Sequence, residues 1–123
     1  MTTPRILITG SRDWSDVRTI RLALTKARKQ FPGAVLVHGA CRGADLLAAH
    51  LWCTWGLATE AHPADWHGHG RAAGPIRNRH MVALGADLCL AFLLPTSCGS
   101  LGCAELAEAA GIRTIRIQPG DTR

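Results

Sequence analysis

The sequence has 123 residues, 47 % of them hydrophobic, which suits a single domain (1–123) with its own core and excludes a disordered chain. No apolar run approaches the roughly 20 residues of a membrane span, and the chain enters a strand pattern without a signal-peptide layout. A net charge of +5 suits an anionic partner, and five cysteines without framework spacing predict a reducing, cytoplasmic setting.

Arg5-Ile6-Leu7-Ile8-Thr9 reads as a first strand, buried on both faces because its apolar run is continuous. Gly10-Ser11-Arg12-Asp13-Trp14 forms the following loop. Ser15 or Asp16 can cap a helix reaching to about Gln30, with Val17, Ile20, Leu24, Ala27 and Phe31 on one apolar stripe. Its basic residues Arg18, Arg21, Arg28 and Lys29 fall on the polar face, where solvation accounts for them. Val35 to His38 is a second strand, and a second helix runs from about Gly43 to Trp55, closed by Gly56. Trp52 and Trp55 read as core or subunit-contact residues, which predicts a homodimer.

Leu57 to Ala61 reads as a third strand, and His67 to Gly74 as a polar loop over the site. Pro75 suits the first turn of a third helix, which continues through Asn78, Met81 and Leu84 to Gly85. Asp87 to Leu93 is a fourth strand and Pro95 to Ser100 its exit loop. Leu101 to Ala110 is a fourth helix ended by Gly111, and Thr114 to Ile117 a fifth strand. Five buried strands alternating with four helices predict a three-layer α/β domain, its sheet parallel throughout and covered on both faces. Ligands of such sheets bind outside the carboxyl ends of the strands, and every glycine-rich or Arg-bearing loop here follows one of those ends.

The stretch from Ala34 to Asp45 organises this reading: a strand, a loop with Gly39 and Gly43, then a helix start. Its backbone N–H groups and helix N-terminus predict an anion site, with Arg42 as a phosphate fork and Asp45 as an acceptor for a sugar or base.

Four stretches together resemble one family: Ile8-Thr9-Gly10-Ser11-Arg12-Asp13-Trp14; His38-Gly39 with Arg42-Gly43-Ala44-Asp45; His62-Pro63-Ala64-Asp65-Trp66 with Gly70 to Asn78; and Ala86 to Phe92 followed by Ser97-Cys98-Gly99-Ser100. Their order is similar to the YspA-like, YpsA-related branch of the SLOG superfamily. The resemblance implies a Rossmann-like sheet of order 3-2-1-4-5 and a pocket for a nucleotide or nucleotide-derived ligand. It implies a sensor, carrier or sequestering module of nucleotide signalling in bacterial or phage conflict. Carried over, it places Gly10, Ser11, Arg12, Gly39, Gly43, Asp45, Arg77, Asn78, Gly99 and Ser100 at the ligand; His38, Arg42, Asp65, Trp66 and Ser97 in the same stretches are further candidates. No cofactor and no metal are expected.

Superfamily relatives include phosphoribohydrolases, so hydrolysis or transfer at a nucleotide N-glycosidic or phosphate bond is the alternative. Those enzymes carry a glycine pair, then Gly-Thr and a glutamate; here Thr96-Ser97 replace the pair and Cys103 stands at the glutamate position. Glu105 lies two residues on, turned roughly 200° around the helix. Cleavage through an oxocarbenium-like state calls for a carboxylate, so binding without turnover is favoured, although Asp45 or Asp65 could substitute. Histidines 62, 67 and 69 lack metal-ligand spacing, and a nucleophilic Cys98 or Cys103 lacks an assigned base. A nucleic-acid-binding module is the third reading, by analogy with the DNA-processing relatives that the resemblance implies and from the basic first helix. The absence of Tyr and scarcity of Phe argue against a single-strand groove, so nucleic acid is not the expected partner.

Overall fold

The computed structural model describes residues 2–122. The first half of the chain forms β1 (Arg5–Gly10), α1 (Val17–Gln30), β2 (Val35–His38), α2 (Ala44–Thr54) and β3 (Thr59–Ala61). The second forms α3 (Trp66–His69), a 3₁₀ turn (Gly70–Ala72), α4 (Ala73–Ala83), β4 (Leu88–Phe92), α5 (Cys98–Ala109) and β5 (Thr114–Ile117). All pairings are parallel in the order β3-β2-β1-β4-β5, as the Rossmann-like expectation required. In the central register Ile6 pairs with Leu36 on one side and Leu88 on the other.

Side chains alternate along each strand, and both faces are covered, so the strand sequences are apolar throughout. One core holds Ile6, Ile8, Leu36, Leu90 and Phe92 against Ile20, Leu24 and Ala27 of α1 and Ala44, Ala48 and Trp52 of α2. The opposite core is built from smaller side chains: Leu7, Val37 and Cys89 meet Met81 of α4 and Cys103 and Ala107 of α5. Asp16 starts α1 by accepting the Thr19 N–H at 3.1 Å and the Thr19 hydroxyl at 2.6 Å. Gly56 (φ +77°) ends α2, and the Leu57 N–H returns to the Trp52 carbonyl at 3.3 Å. Trp52 is wholly buried and donates to the Ala34 carbonyl, while Trp55 lies under the Arg28 guanidinium at 3.9 Å. Trp52 therefore belongs to its own chain's core and offers nothing to a second copy.

Several boundaries differ from the sequence reading: β3 starts at Thr59 and not at Leu57, and β4 spans Leu88–Phe92 and not Asp87 to Leu93. Residues 66–72 are helical and not a loop: Asp65 caps the segment by accepting the Gly68 N–H at 2.9 Å, and α4 already begins at Ala73. Pro75 still falls in the first turn, where its missing N–H costs no helical bond. Helix α5 begins at Cys98, three residues before the predicted Leu101.

Candidate functional site

The sheet order reverses direction beside β1. The chain leaving β1 turns towards α1 and β2, and the chain leaving β4 turns towards α5 and β5, so their exit loops part and leave a crevice. A cavity of about 550 Å³ occupies it, within the roughly 300–1,000 Å³ usual for small-molecule sites. Its lining includes Gly10, Ser11, Arg12, Asp45, Trp66, Arg77, Asn78, Ser97, Gly99 and Ser100. Five further sequence candidates, His38, Gly39, Arg42, Gly43 and Asp65, stand outside that lining.

The β1 exit is held by close approach. A Cβ on Gly10 would run into the Ala44 side chain, so the start of α2 can rest directly on this turn. The Ser11 N–H donates to the Phe92 carbonyl at 3.0 Å, and the Ser11 carbonyl accepts from Ala44 at 3.1 Å. The Ser11 hydroxyl oxygen accepts the Asp13 N–H at 3.1 Å, which leaves its hydrogen for another acceptor. Arg12 is exposed, its guanidinium 5.3 Å from the Trp66 ring centroid. No acceptor among the described residues takes its N–H groups.

Several donors of the β2–α2 loop, which the sequence suggests as an anion cradle, are engaged within the protein, while the Arg42 and Gly43 N–H groups have no acceptor among the described residues. The Gly39 N–H goes to Asp45 Oδ2 at 2.8 Å and the Ala40 N–H to His38 Nδ1 at 3.0 Å. Ala44 donates to Ser11, and Leu46 to the Cys41 carbonyl at 3.2 Å. Gly43 takes φ +79°, and a Cβ there would strike the Ser11 carbonyl. Arg42 stays exposed, 3.7 Å from Asp13. Asp45 and Cys41 bring this loop to the cavity. Burial pushes the Asp45 carboxyl up from 3.8 to about 6, against the Gly39 N–H and the charges of Arg77 and Arg12.

Arg77 acts as a strut at the cavity wall. Its Nε donates to Asn78 Oδ1 at 2.8 Å, one terminal nitrogen to the Gly39 and His62 carbonyls at 2.7 and 3.4 Å, and the other to Cys41 Sγ at 3.6 Å. A Cβ at Gly39 would run into this guanidinium, so any side chain there would force Arg77 to shift. Asn78 reaches on to the Gly99 carbonyl at 3.4 Å, tying α4 to the start of α5. Ser97 occupies the N-cap of α5, yet its hydroxyl accepts the Leu94 N–H at 2.8 Å and leaves the helix uncapped. The Gly99 and Ser100 N–H groups at the second and third helical positions have no acceptor among the described residues. A Cβ at Gly99 would meet nothing within 4 Å, so this end is open.

Thr9, Asp13, Cys41, Met81 and Cys98 also line the cavity. Thr9, Asp13 and Cys98 lie in quoted motifs, whereas Cys41 carries no sequence signal beyond its neighbours. Cys103 points into the α5 core, where burial pushes its thiol up, and Glu105 is exposed, so neither replaces the glutamate of the phosphoribohydrolases. His62 is held 2.6 Å from Glu60, and His67 and His69 sit exposed on α3.

A model of the family described as YspA, cpYpsA-related SLOG matches residues 4–69, from just before β1 through α3. The chain is 46 % identical over 121 residues to the Gene 61 protein of Mycobacterium phage D29, covering 92 % of this chain and 95 % of that protein. DNA processing protein A from Streptococcus pneumoniae shares the fold with a TM-score of 0.71 at 18 % identity, over 96 % of this chain. The match takes in 51 % of that structure, so this chain spans about half its length.

Proposed function

The chain belongs to the YspA, cpYpsA-related SLOG family, and from that premise we propose that its cavity binds a nucleotide or nucleotide-derived ligand, as a sensor, carrier or sequestering module. One observation carries this reading. Two sets of uncommitted donors, the Arg12 guanidinium and the Gly99 and Ser100 N–H groups, line one cavity at the switch point of a parallel sheet. A phosphate meets charge-assisted donors from the first and the helix dipole of the second. Trp66, 47 % exposed, offers a ring on which a base can stack beside Arg12. Asp45 supplies the acceptor for a sugar hydroxyl or base amino group.

A second reading, hydrolysis or transfer at a nucleotide bond, is favoured by Asp45 itself. A buried carboxyl titrating near neutrality in a cleft suits acid–base work. Binding ranks first because Cys103 stands where the phosphoribohydrolases carry their glutamate.

Ligand-linked stability tests the reading. A ligand at a hundredfold excess over Kd adds about 2.7 kcal/mol, which for a domain of this size raises Tm by roughly 8–13 °C. Mono-, di-, tri- and cyclic nucleotides and ADP-ribose, screened to millimolar, are expected to yield such a shift, and Arg12→Ala is expected to diminish it. A screen in which none raises Tm contradicts the proposal.

A further inference from the structure

Helix α1 contains Arg18, Arg21, Lys26, Arg28 and Lys29 and no acidic residue. Those five cations equal the whole formal excess of the chain; its other nine Lys and Arg are matched by nine Asp and Glu. We infer that the exposed face of α1 is a docking surface for the phosphate backbone of double-stranded nucleic acid, separate from the nucleotide cavity.

Placement supports this. Arg18, Arg21, Thr25 and Lys29 follow one another at three- and four-residue spacing, so they share one face along about 16 Å of helix. Lys26 and Arg28 flank that row. Among the described residues no carboxylate pairs with any α1 cation: Arg28 covers Trp55, and Lys26 donates to the Thr122 carbonyl at 2.8 Å. Asp16, at the helix start, is engaged by Thr19 and by the Gly120 N–H. Duplex DNA presents a phosphate about every 3.4 Å along each strand, so a row of this length meets several phosphates at once.

The partner class follows from what the face lacks. Ile20, Leu24 and Ala27 are buried in the core, so α1 has no apolar side left to sink into a bilayer. Its exposed apolar residues are Val17 and Leu22, without the aromatic or Met anchors of protein interfaces. The shortage of aromatics that disfavours a single-strand groove is no obstacle to a duplex, which is held through its phosphates alone.

Fluorescence anisotropy with a mixed-sequence DNA duplex tests the assignment. Contact with three to five phosphates gives a slope of log K against log salt of about −3 to −4.5, or a loss of about 60- to 500-fold between 50 and 200 mM. The folded triple variant Arg18→Glu/Arg21→Glu/Lys29→Glu, its Tm checked first, is expected to abolish binding, and Arg79→Glu on the opposite layer to leave most of it. The inference is overturned by no duplex binding at 50 mM salt, by unchanged binding in the triple variant, or by wild type that prefers phosphatidylserine vesicles to duplex.

Discussion

Arg12 and Arg77 both line the cavity, and the structure separates their roles. Arg77→Ala removes hydrogen bonds to two backbone carbonyls, to Asn78 Oδ1 and to Cys41 Sγ, which together join the ends of β2 and β3 to α4. A hydrogen bond to a charged group contributes about 1.5–3 kcal/mol, and because Arg77 is half-buried, water re-solvates part of what is lost. The net cost is about 2–4 kcal/mol, a fall in Tm of roughly 6–20 °C for a chain of this length. Arg12→Ala removes one exposed cation–π contact, worth about 0.5–1 kcal/mol, so Tm falls by less than about 5 °C. Its effect appears in ligand affinity instead, a loss of roughly ten- to a hundredfold. Differential scanning fluorimetry of both variants, with and without ligand, reads the split. Equal Tm losses, or an Arg77→Ala protein as stable as wild type, would refute the strut.

Asp45 makes stability pH-dependent in a fixed direction: its folded carboxyl titrates at about 6 against an ordinary 3.8, so folding favours the protonated form and stability falls as pH rises from about 4 to about 6. Asp45→Asn is expected to gain roughly 3 kcal/mol on wild type across that interval in urea unfolding, and parallel profiles would contradict it. Gly43→Ala should cost about 1–3 kcal/mol without ligand, since both the positive φ and the Ser11 carbonyl oppose a Cβ; a neutral change would show that the two loops do not meet as described. Nucleoside monophosphates incubated with the protein are expected to release little or no base, and robust release abolished by Glu105→Ala would reverse the reading of the absent glutamate.

The β-branched runs made β2 and β5 legible to the residue, and glycines 56, 85 and 111 marked where helices close. What escaped lies where local chemistry overrides pattern. Residues 66–72 lack apolar periodicity, and their helical form rests on the Asp65 cap and on Trp66 lying 3.2 Å from where a Gly74 Cβ would be. The start of α5 was hidden because Thr96-Ser97-Cys98-Gly99 is poor in helix formers and Ser97 bonds backwards to Leu94. In the β2–α2 loop the sequence groups the residues at the sheet edge, yet only folding shows that Asp45, His38 and Ser11 occupy the Gly39, Ala40 and Ala44 N–H groups. The Gly99 and Ser100 donors lie in the first turn of α5, where the sequence also suggests Ser100 at a helix N-terminus facing a phosphate; the helix itself starts three residues before the predicted Leu101.

The crevice between the β1 and β4 exits is proposed to hold a nucleotide-type ligand. Native mass spectrometry of the gently purified protein tests it most directly. An added mass that matches a nucleotide or nucleotide derivative and is released on denaturation is expected, with the adduct lost or much reduced in Arg12→Ala. Ligand-free protein that takes up no member of the nucleotide panel at millimolar concentration, or an adduct retained undiminished in Arg12→Ala, would contradict it.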